Sequence, residues 1–276
     1  MEPINTDSIY SLADWSEFLV IHNQQELSKA KLASMLNVNR GSIDEEQIDS
    51  IFTELSRRHL LYGEYSPFKL NNDVLIPNLS WQDYPEYMMC LIFSLRGVEK
   101  RKGTNDGTKL FERLSREAII SYLSPTAEVI GFPNAQSLAK QIEDISKKTC
   151  ERLGSRKVKP KDKDKGVDII AWKSHGDLRD NQIVLLLQCG AGLHFGLKKP
   201  ISLPAWCEFI QWSARPIPGI IIPIIVSIDD WIEVRDDYNL VFDRVRIYRA
   251  LTGRDLADQS LRAEMLGWCK TKLNEQ

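Results

Sequence analysis

The sequence predicts a two-domain protein of mixed α+β and α/β class, in which a domain of helices and a β-hairpin precedes an α/β domain with a central sheet. The length of 276 residues suggests roughly two domains. Residues 1–97 show the pattern of helices followed by a hairpin, whereas residues 108–276 alternate helical and strand patterns, which is typical of a sheet covered by helices. The polar, glycine-containing segment 98–107 is predicted to be a linker.

Composition excludes several classes of protein. Hydrophobic residues make up 43% of the chain and charged residues 27%, so a disordered or fibrous chain is excluded. No apolar run reaches the roughly 18 residues of a membrane helix, and the N-terminus lacks the basic start of a secretory signal, so we expect a cytoplasmic protein without a membrane partner. Five scattered cysteines without a C-x-x-C pair indicate reduced, mostly buried thiols. The net charge of -2 provides no global attraction for nucleic acid, so a DNA partner requires a local basic patch.

The N-terminal domain begins with a helical pattern and ends with one. Helices are predicted over residues 26–36, 45–55 and 84–95, and strands over residues 60–65 and 74–76. Asp44 at the N-cap and Gln47 at N3 form a variant of the capping box, which marks the start of the second helix. Two helices followed by a hairpin resemble a winged helix-turn-helix, in which the second helix reads DNA.

The charge of that second helix argues against DNA recognition. It carries four acidic side chains, Glu45, Glu46, Asp49 and Glu54, which the phosphate backbone repels. A protein-interaction module is therefore the alternative for this domain. A transcriptional regulator built on it is a further hypothesis, and the acidic helix weakens it in the same way.

The second domain is predicted to alternate helices and strands. Its helices are predicted over residues 108–123, 133–153, 206–214 and 256–273, and its strands over residues 167–172, 183–188 and 220–228. A basic loop, residues 155–166, directly precedes the first of these strands. Its cations are Arg156, Lys157, Lys159, Lys161, Lys163 and Lys165. Two interpretations stay open: the loop binds DNA phosphates near a reaction site, or it is a solvated, flexible surface loop.

Three polar residues of this domain stand out by their positions. Asp168 lies in an otherwise apolar strand, where a carboxylate costs desolvation energy unless it is paired or bound to a cation. Gln188 ends the next strand, directly before a glycine-containing segment where a backbone can approach a ligand. Glu112 lies in the preceding helix. Taken singly, each also fits an ordinary structural role, as a salt-bridged strand aspartate or a solvated helix glutamate.

Their succession resembles the PD-(D/E)xK nuclease superfamily, and most closely the restriction-endonuclease-like proteins of the Mrr type, whose third motif begins with Gln. The matching motifs are Phe111-Glu112, Gly166-Val167-Asp168 and Gln188. The resemblance covers residues 107–228 and implies a restriction-endonuclease-like α/β domain with a central mixed sheet. It implies a metal-dependent DNA endonuclease, with a role in prokaryotic defence against foreign DNA.

The resemblance also implies a metal site and partners. Glu112, Asp168 and the backbone carbonyl of Cys189 would bind Mg²⁺ or Mn²⁺, because hard cations prefer oxygen ligands. Gln188 would contribute a neutral amide oxygen, which leaves two anions, enough for one cation and poor for two. The implied partners are DNA and, beyond it, further subunits of a defence complex or a second copy of the chain.

One position departs from the family pattern. The family has Lys two residues after the Gln, and this sequence has Gly190 there. Either another lysine replaces it, with Lys173, Lys198 and Lys199 as candidates, or the site has decayed and the protein binds DNA or scaffolds a defence complex without cutting. Strand alternation places Lys173 on the opposite face from Asp168. Lys199 directly precedes a proline, which restricts its backbone, so Lys198 is the preferred catalytic lysine.

Overall fold

The computed structural model describes residues 8–40, 44–97, 106–123, 126–129, 136–159, 164–192, 196 and 198–275. It is a mixed α/β structure containing parallel and antiparallel strand pairs. The chain divides into two units, one of Met1–Lys102 with Arg262–Gln276 and one of Gly103–Leu261. The C-terminal segment, which the sequence pattern placed in the second domain, belongs to the first unit. Within the described residues, no helix has both the length and the apolar character to cross a membrane.

The first unit consists of helices around a small antiparallel sheet. Its helices are α1 (Ile9–Asn23), α2 (Lys29–Arg40), α3 (Glu45–Tyr62), α4 (Pro85–Arg96) and, at the C-terminus, α10 (Leu261–Asn274). Its strands are β1 (Leu27–Ser28), β2 (Phe68–Asn71) and β3 (Val74–Pro77). Strand β3 lies in the middle, with Leu75 opposite Leu27 on one side and Leu70 on the other.

Several local predictions for this unit are confirmed. The backbone N–H of Gln47 donates to Oδ1 of Asp44 at 2.7 Å, which caps α3 as the sequence indicated. The apolar face of α3 is buried, as the spacing of Ile48, Ile51 and Leu55 predicts. The predicted strand at residues 74–76 is β3, and the predicted helix at residues 84–95 is α4.

The predicted strand over residues 60–65 is wrong. Helix α3 continues to Tyr62, whose fully buried ring extends the apolar face of the helix seven residues beyond Leu55. A 3-10 turn follows at Gly63–Tyr65, and the hairpin begins only at Phe68. Helix α1 was not predicted, because buried residues occupy almost all of its sides and leave no clear helical period.

A buried arginine joins α1 to α3. Arg58 is fully buried, and its guanidinium donates to the carboxylates of Asp14, Glu17 and Glu54 over 2.5–2.9 Å. Burial raises the pKa of Glu54, but its ion pairs with Arg57 and Arg58 outweigh burial and hold that pKa below its usual range. The charges are thus retained in the interior because each has a hydrogen-bonded partner of opposite sign.

The second unit alternates helices and strands. Its helices are α5 (Asp106–Leu123), α6 (Leu138–Thr149), α7 (Leu203–Cys207), α8 (Trp231–Tyr238) and α9 (Arg244–Leu251). Its strands are β4 (Thr126–Val129), β5 (Arg152–Leu153), β6 (Ile169–Lys173), β7 (Ile183–Cys189), β8 (Ile210–Gln211), β9 (Ile217–Ile221) and β10 (Leu240–Phe242).

Strand directions in the main sheet bring three strand ends together. The order is β10-β9-β7-β6-β4, in which β7, β9 and β10 run parallel and β6 runs antiparallel to both of its neighbours. The carboxyl ends of β7 and β9 therefore lie at the same edge of the sheet as the amino end of β6. On one face, Ile170 and Leu186 pack with Ile142 and Ile145 of α6 to form a core.

Three predictions for this unit need correction. The predicted helix at residues 206–214 ends at Cys207, because a turn follows and the chain then enters β8 at Ile210, which pairs with β5. The predicted strand at residues 220–228 begins earlier and ends at Ile221, two residues before Pro223. The predicted helix at residues 133–153 is α6, which ends at Thr149, and its first predicted residues, 133–135, lie outside the described part of the chain. Residues 98–105 of the predicted linker also lie outside the described part of the chain.

All five cysteines are free thiols, and three of them, Cys90, Cys189 and Cys269, are buried. This agrees with the prediction of reduced, mostly buried thiols.

Candidate functional site

A tight turn leads into Asp168. The N–H of Val167 donates to the carbonyl of Asp164 at 3.1 Å, and the N–H of Gly166 donates to Oδ1 of Asp164 at 2.9 Å. Lys165 and Gly166 between them have φ angles of 54° and 83°, a left-handed conformation that favours glycine. The turn delivers Asp168 to the amino end of β6, at the edge of the sheet where β7 ends.

The carboxylate of Asp168 binds the backbone of the neighbouring strand. Its Oδ2 accepts a hydrogen bond from the N–H of Cys189 at 2.7 Å, and its own N–H donates to the carbonyl of Leu187 at 2.8 Å. Burial raises the pKa of Asp168 to about 6, and the negative charges of Glu112 and Asp164 act in the same direction. The Cys189 hydrogen bond and the positive charge of Lys198 oppose that rise.

Glu112 lies on α5, which contacts both β6 and β7. Its residue is only 7% exposed, and its Oε2 accepts from Nζ of Lys109 at 2.7 Å. Since Lys109 precedes it by three residues, the two side chains are neighbours on the helix surface. The negative charge of Glu112 contributes to the raised pKa of Asp168.

Lys198 reaches the same strand end from outside the sheet. Its Nζ donates to the backbone carbonyl of Cys189 at 2.5 Å. Its positive charge also lowers the pKa of Asp168, whose Oδ2 accepts from the N–H of the same Cys189. Lys173 is directed elsewhere, since its Nζ donates to the carbonyl of Leu123 at 2.9 Å. Lys198 and Lys199 are both exposed, and the hydrogen bond to Cys189 distinguishes Lys198.

The side chain of Gln188 has different neighbours from those of Asp168 and Glu112. Within β7 it shares the face of Val184 and Leu186, and its residue is 7% exposed. Its Nε2 lies 3.2 Å from the position that a Cβ on Gly166 would take. Its Oε1 is buried and has no hydrogen-bond partner among the described residues. A buried carbonyl-type oxygen without a partner is costly, which makes it a candidate ligand for a cation or a water.

The donor atoms at this edge are all oxygens of the kind that hard cations prefer. They are the carboxylates of Asp168 and Glu112 and the unpartnered Oε1 of Gln188. The predicted carbonyl ligand of Cys189 accepts the Lys198 ammonium, and burial raises the pKa of the Cys189 thiol well above its usual value, which keeps it neutral. Across the described residues, no three or more His, Cys, Asp or Glu side chains are grouped so as to hold a metal ion.

Part of the predicted basic loop is an ordered strand-like ribbon. Gly154 N–H donates to the Phe209 carbonyl at 2.8 Å, and Arg156 N–H donates to the Glu208 carbonyl at 3.0 Å. The guanidinium of Arg156 binds the Glu208 carboxylate at 2.9 Å and lies 4.9 Å from the centre of the Phe209 ring.

The other cations of the loop divide into two groups. Lys157, Lys159 and Lys165 are exposed. Lys161 and Lys163 lie outside the described residues. The described part of the loop therefore offers three accessible lysines, while Arg156 is held in the ribbon.

Two residues of this region were not found from the sequence. Lys109 could have been found, because a lysine three residues before a helix glutamate is a standard ion-pair spacing. Tyr238 had no signal, since α8 was not predicted; its hydroxyl donates to the backbone carbonyl of Lys198 at 2.7 Å. Comparison of the whole chain with protein-family models, with curated proteins and with solved structures gives no significant match.

Proposed function

We propose that this protein is a metal-dependent endonuclease that hydrolyses phosphodiester bonds in DNA. The observation that carries the proposal is that Asp168 and Lys198 both hydrogen-bond the backbone of Cys189 at one edge of the sheet, while Glu112 is buried on α5, which contacts the same strands. Two carboxylates can hold a cation for phosphodiester hydrolysis, and an ammonium can stabilise the charge that develops on the phosphate. The motif order and the mixed sheet agree with the resemblance to a restriction-endonuclease-like domain.

A divalent cation fits this set of residues. Asp168 and Glu112 would hold Mg²⁺ or Mn²⁺, and the buried Oε1 of Gln188 would contribute a neutral ligand, directly or through water. When bound, the cation supplies a polarised phosphate and a water of lowered pKa. The raised pKa of Asp168 in the metal-free protein is typical of a carboxyl that a cation would return to the ionised state.

Lys198 would supply the positive charge that the motif-lysine position, Gly190, lacks. Its ammonium is held at the Cys189 carbonyl, next to Asp168, with solvent access to the site. A cation there stabilises negative charge that develops on a phosphate in the transition state. The carbonyl of Cys189 thus orients the lysine, and Lys198 is the catalytic lysine of the proposal.

DNA would be bound by the exposed lysines of the basic segment. Lys157, Lys159 and Lys165 are accessible, and Lys165 belongs to the turn that precedes Asp168. Closely spaced lysines without base-reading geometry contact phosphates, which gives binding that is independent of sequence. Arg156 contributes less to this surface, because Glu208 neutralises it.

The first unit would recruit a partner. Its order of helix, strand, two helices and hairpin supports a winged-helix domain as part of this proposal. Glu45, Glu46 and Asp49 on α3 are exposed and acidic, which favours a protein partner over DNA for this helix. A cytoplasmic role in prokaryotic defence, with further subunits or a second copy of the chain, follows from the family resemblance.

A second candidate function is a nuclease-fold subunit that binds DNA without cutting it. Two observations favour it: Gly190 occupies the motif-lysine position, and the described residues contain no cluster of three acidic, histidine or cysteine ligands.

The two candidates are separated by incubating supercoiled plasmid with the purified protein and Mg²⁺ or Mn²⁺. We expect nicked and linear products from the wild type and none from Asp168→Asn. The matched control is Asp177→Asn, which removes an exposed aspartate paired with Arg179, and it should cut normally. Equal cleavage by both variants would remove Asp168 from the mechanism, and DNA binding without any cleavage by the wild type would favour the second candidate.

A second measurement does not depend on cleavage. Mg²⁺ should raise the melting temperature of the wild type, because a ligand that binds only the folded state stabilises it. The Asp168→Asn variant should lose this shift, and Asp177→Asn should keep it.

A further inference from the structure

Lys198 is held at two points. Its ammonium donates to the Cys189 carbonyl, and its own backbone carbonyl accepts a hydrogen bond from the Tyr238 hydroxyl at 2.7 Å. The first contact sets where the charge lies, and the second sets where the main chain that carries it lies.

The side chain of Tyr238, which makes the second contact, is fixed in place by its packing. It is the last residue of α8, and its residue is only 5% exposed. Its ring packs with Ile220 and Ile222 of the β9 segment and with Val241 of β10. Asn239 follows in a left-handed conformation, and its N–H donates to the Arg235 carbonyl, which ends the helix. The hydroxyl therefore projects from the core of the sheet.

The backbone of Lys198 needs a contact of this kind because the sequence before it is rich in glycine. Between the end of β7 and Lys198 the sequence contains Gly190, Gly192 and Gly196, and glycine loses more backbone freedom on ordering than any other residue. A lysine directly after the strand end, as at position 190 in the family pattern, would not carry this cost. A lysine delivered by a glycine-rich segment requires contacts that hold its backbone.

We propose that Tyr238 is a positioning residue that holds the backbone of Lys198 and thereby keeps its ammonium at the Cys189 carbonyl beside Asp168. The catalytic consequence rests on the proposed nuclease function, whereas the positioning itself does not. In this role the Tyr238 hydroxyl hydrogen-bonds the backbone carbonyl of Lys198 and is assigned no contact with the substrate. It acts through Lys198 alone.

The variant Tyr238→Phe tests the positioning directly, since it removes only the hydroxyl and leaves the ring in the core. Competitive acetylation with a trace of acetic anhydride, followed by mass spectrometry, measures how reactive each lysine is. We expect the reactivity of Lys198 relative to Lys199 to rise about fivefold, as expected for loss of one hydrogen bond. Tyr122→Phe, at an exposed tyrosine of the same unit, should leave the ratio unchanged.

Two results would overturn the proposal at this step. An unchanged ratio in Tyr238→Phe would show that the hydroxyl does not hold Lys198. An equal rise for both lysines would show general loosening of the fold and no specific positioning. Neither result depends on nuclease activity, so failure of the positioning is distinguishable from failure of the proposed function.

The catalytic arm uses plasmid cleavage by the full-length protein with Mg²⁺. Tyr238→Phe should lower kcat about tenfold with KM unchanged, because the DNA-binding lysines are intact. In a Lys198→Ala background the same change should have no further effect, since the two residues act as one unit. A KM effect alone, or independent effects that multiply, would contradict a role through Lys198. A wild type without cleavage would refute the nuclease proposal and leave the acetylation result to decide the positioning.

Discussion

Oδ2 of Asp168 lies 2.7 Å from the backbone nitrogen of Cys189, and this hydrogen bond ties the start of β6 to the end of β7. The bond favours the ionised carboxylate, yet burial is the larger effect and raises the pKa to about 6. Asp168 therefore links the two strands and also changes its charge near neutral pH.

The first prediction concerns the pH dependence of stability. The folded-state pKa of Asp168 is above its ordinary value of 3.8, so between about pH 4 and pH 6 the folded protein binds more protons than the unfolded chain. Stability from this group is thus present at low pH and is lost as the pH rises through that range. In metal-free buffer, Asp168→Asn should be as stable as the wild type near pH 4 and more stable near pH 7, by up to about 3 kcal/mol in urea unfolding.

The control for this prediction is Asp177→Asn. The Arg179 hydrogen bond lowers the pKa of Asp177, so the substitution should bring no gain near pH 7. A wild type as stable as Asp168→Asn at both pH values would show that burial does not raise the pKa of Asp168.

The second prediction assigns the catalytic lysine. Lys198→Ala should lower plasmid cleavage by about 10²-fold, because a fixed donor aimed at developing charge has effects of that size. Lys199→Ala should retain normal activity, since its neighbour alone binds the Cys189 carbonyl. Full cleavage by both alanine variants would show that neither lysine replaces the motif residue. Cleavage gained only by Gly190→Lys would identify the natural protein as a decayed nuclease.

The third prediction concerns the stability of the β5–β8 ribbon. A Cβ at Gly154 would lie 2.0 Å from the backbone oxygen of Glu208, so Gly154→Ala forces two backbones apart. We expect a loss of about 1–3 kcal/mol in urea unfolding. Gly267→Ala in α10 is the counterpart, because a Cβ there meets nothing within 4 Å and alanine favours the helix by about 1 kcal/mol. Similar effects at both sites would argue against the close approach at Gly154.

The fourth prediction concerns DNA binding. Changing Lys157, Lys159 and Lys165 together to alanine should weaken binding to all DNA sequences alike and reduce the salt dependence of log K by about two to three units of slope. Arg156→Ala should change this slope little, because its charge is paired with Glu208. An altered sequence preference with an unchanged slope would instead indicate contacts to bases.

The parts of the fold that could be predicted depend on local signals. The Asp44 and Gln47 cap of α3 and the apolar runs of β6 and β7 are encoded by neighbouring residues, and the structure contains them. The strand prediction for residues 60–65 was wrong because Leu60, Leu61 and Tyr65 are apolar, although each is exposed. The burial of Tyr62 fits the continuation of helix α3 through this segment. The short strands β5 and β8 exist through their pairing with each other, which no local pattern reveals.

The sequence predicts the candidate site as a set of residues but not the contacts that these residues make. The order of Glu112, Asp168 and Gln188 follows from motif spacing, and the choice of Lys198 over Lys199 follows from the restriction by the next proline. The hydrogen bond from Tyr238 to Lys198 joins residues 40 positions apart, and it depends on how α8 packs on the sheet. The ion pair that neutralises Arg156 similarly joins residues 52 positions apart.

The buried Arg58 has a consequence for how the two helices recognise each other. Its partners Asp14 and Glu17 lie three residues apart on α1, while Glu54 lies on α3 itself. If α1 slid along α3 by one helical turn, a guanidinium and carboxylates would be stranded without partners in an apolar interior, at a cost of about 3–5 kcal/mol. Leucine and isoleucine side chains would tolerate such a slip by repacking. The buried ion pairs therefore specify a single packing register of α1 against α3.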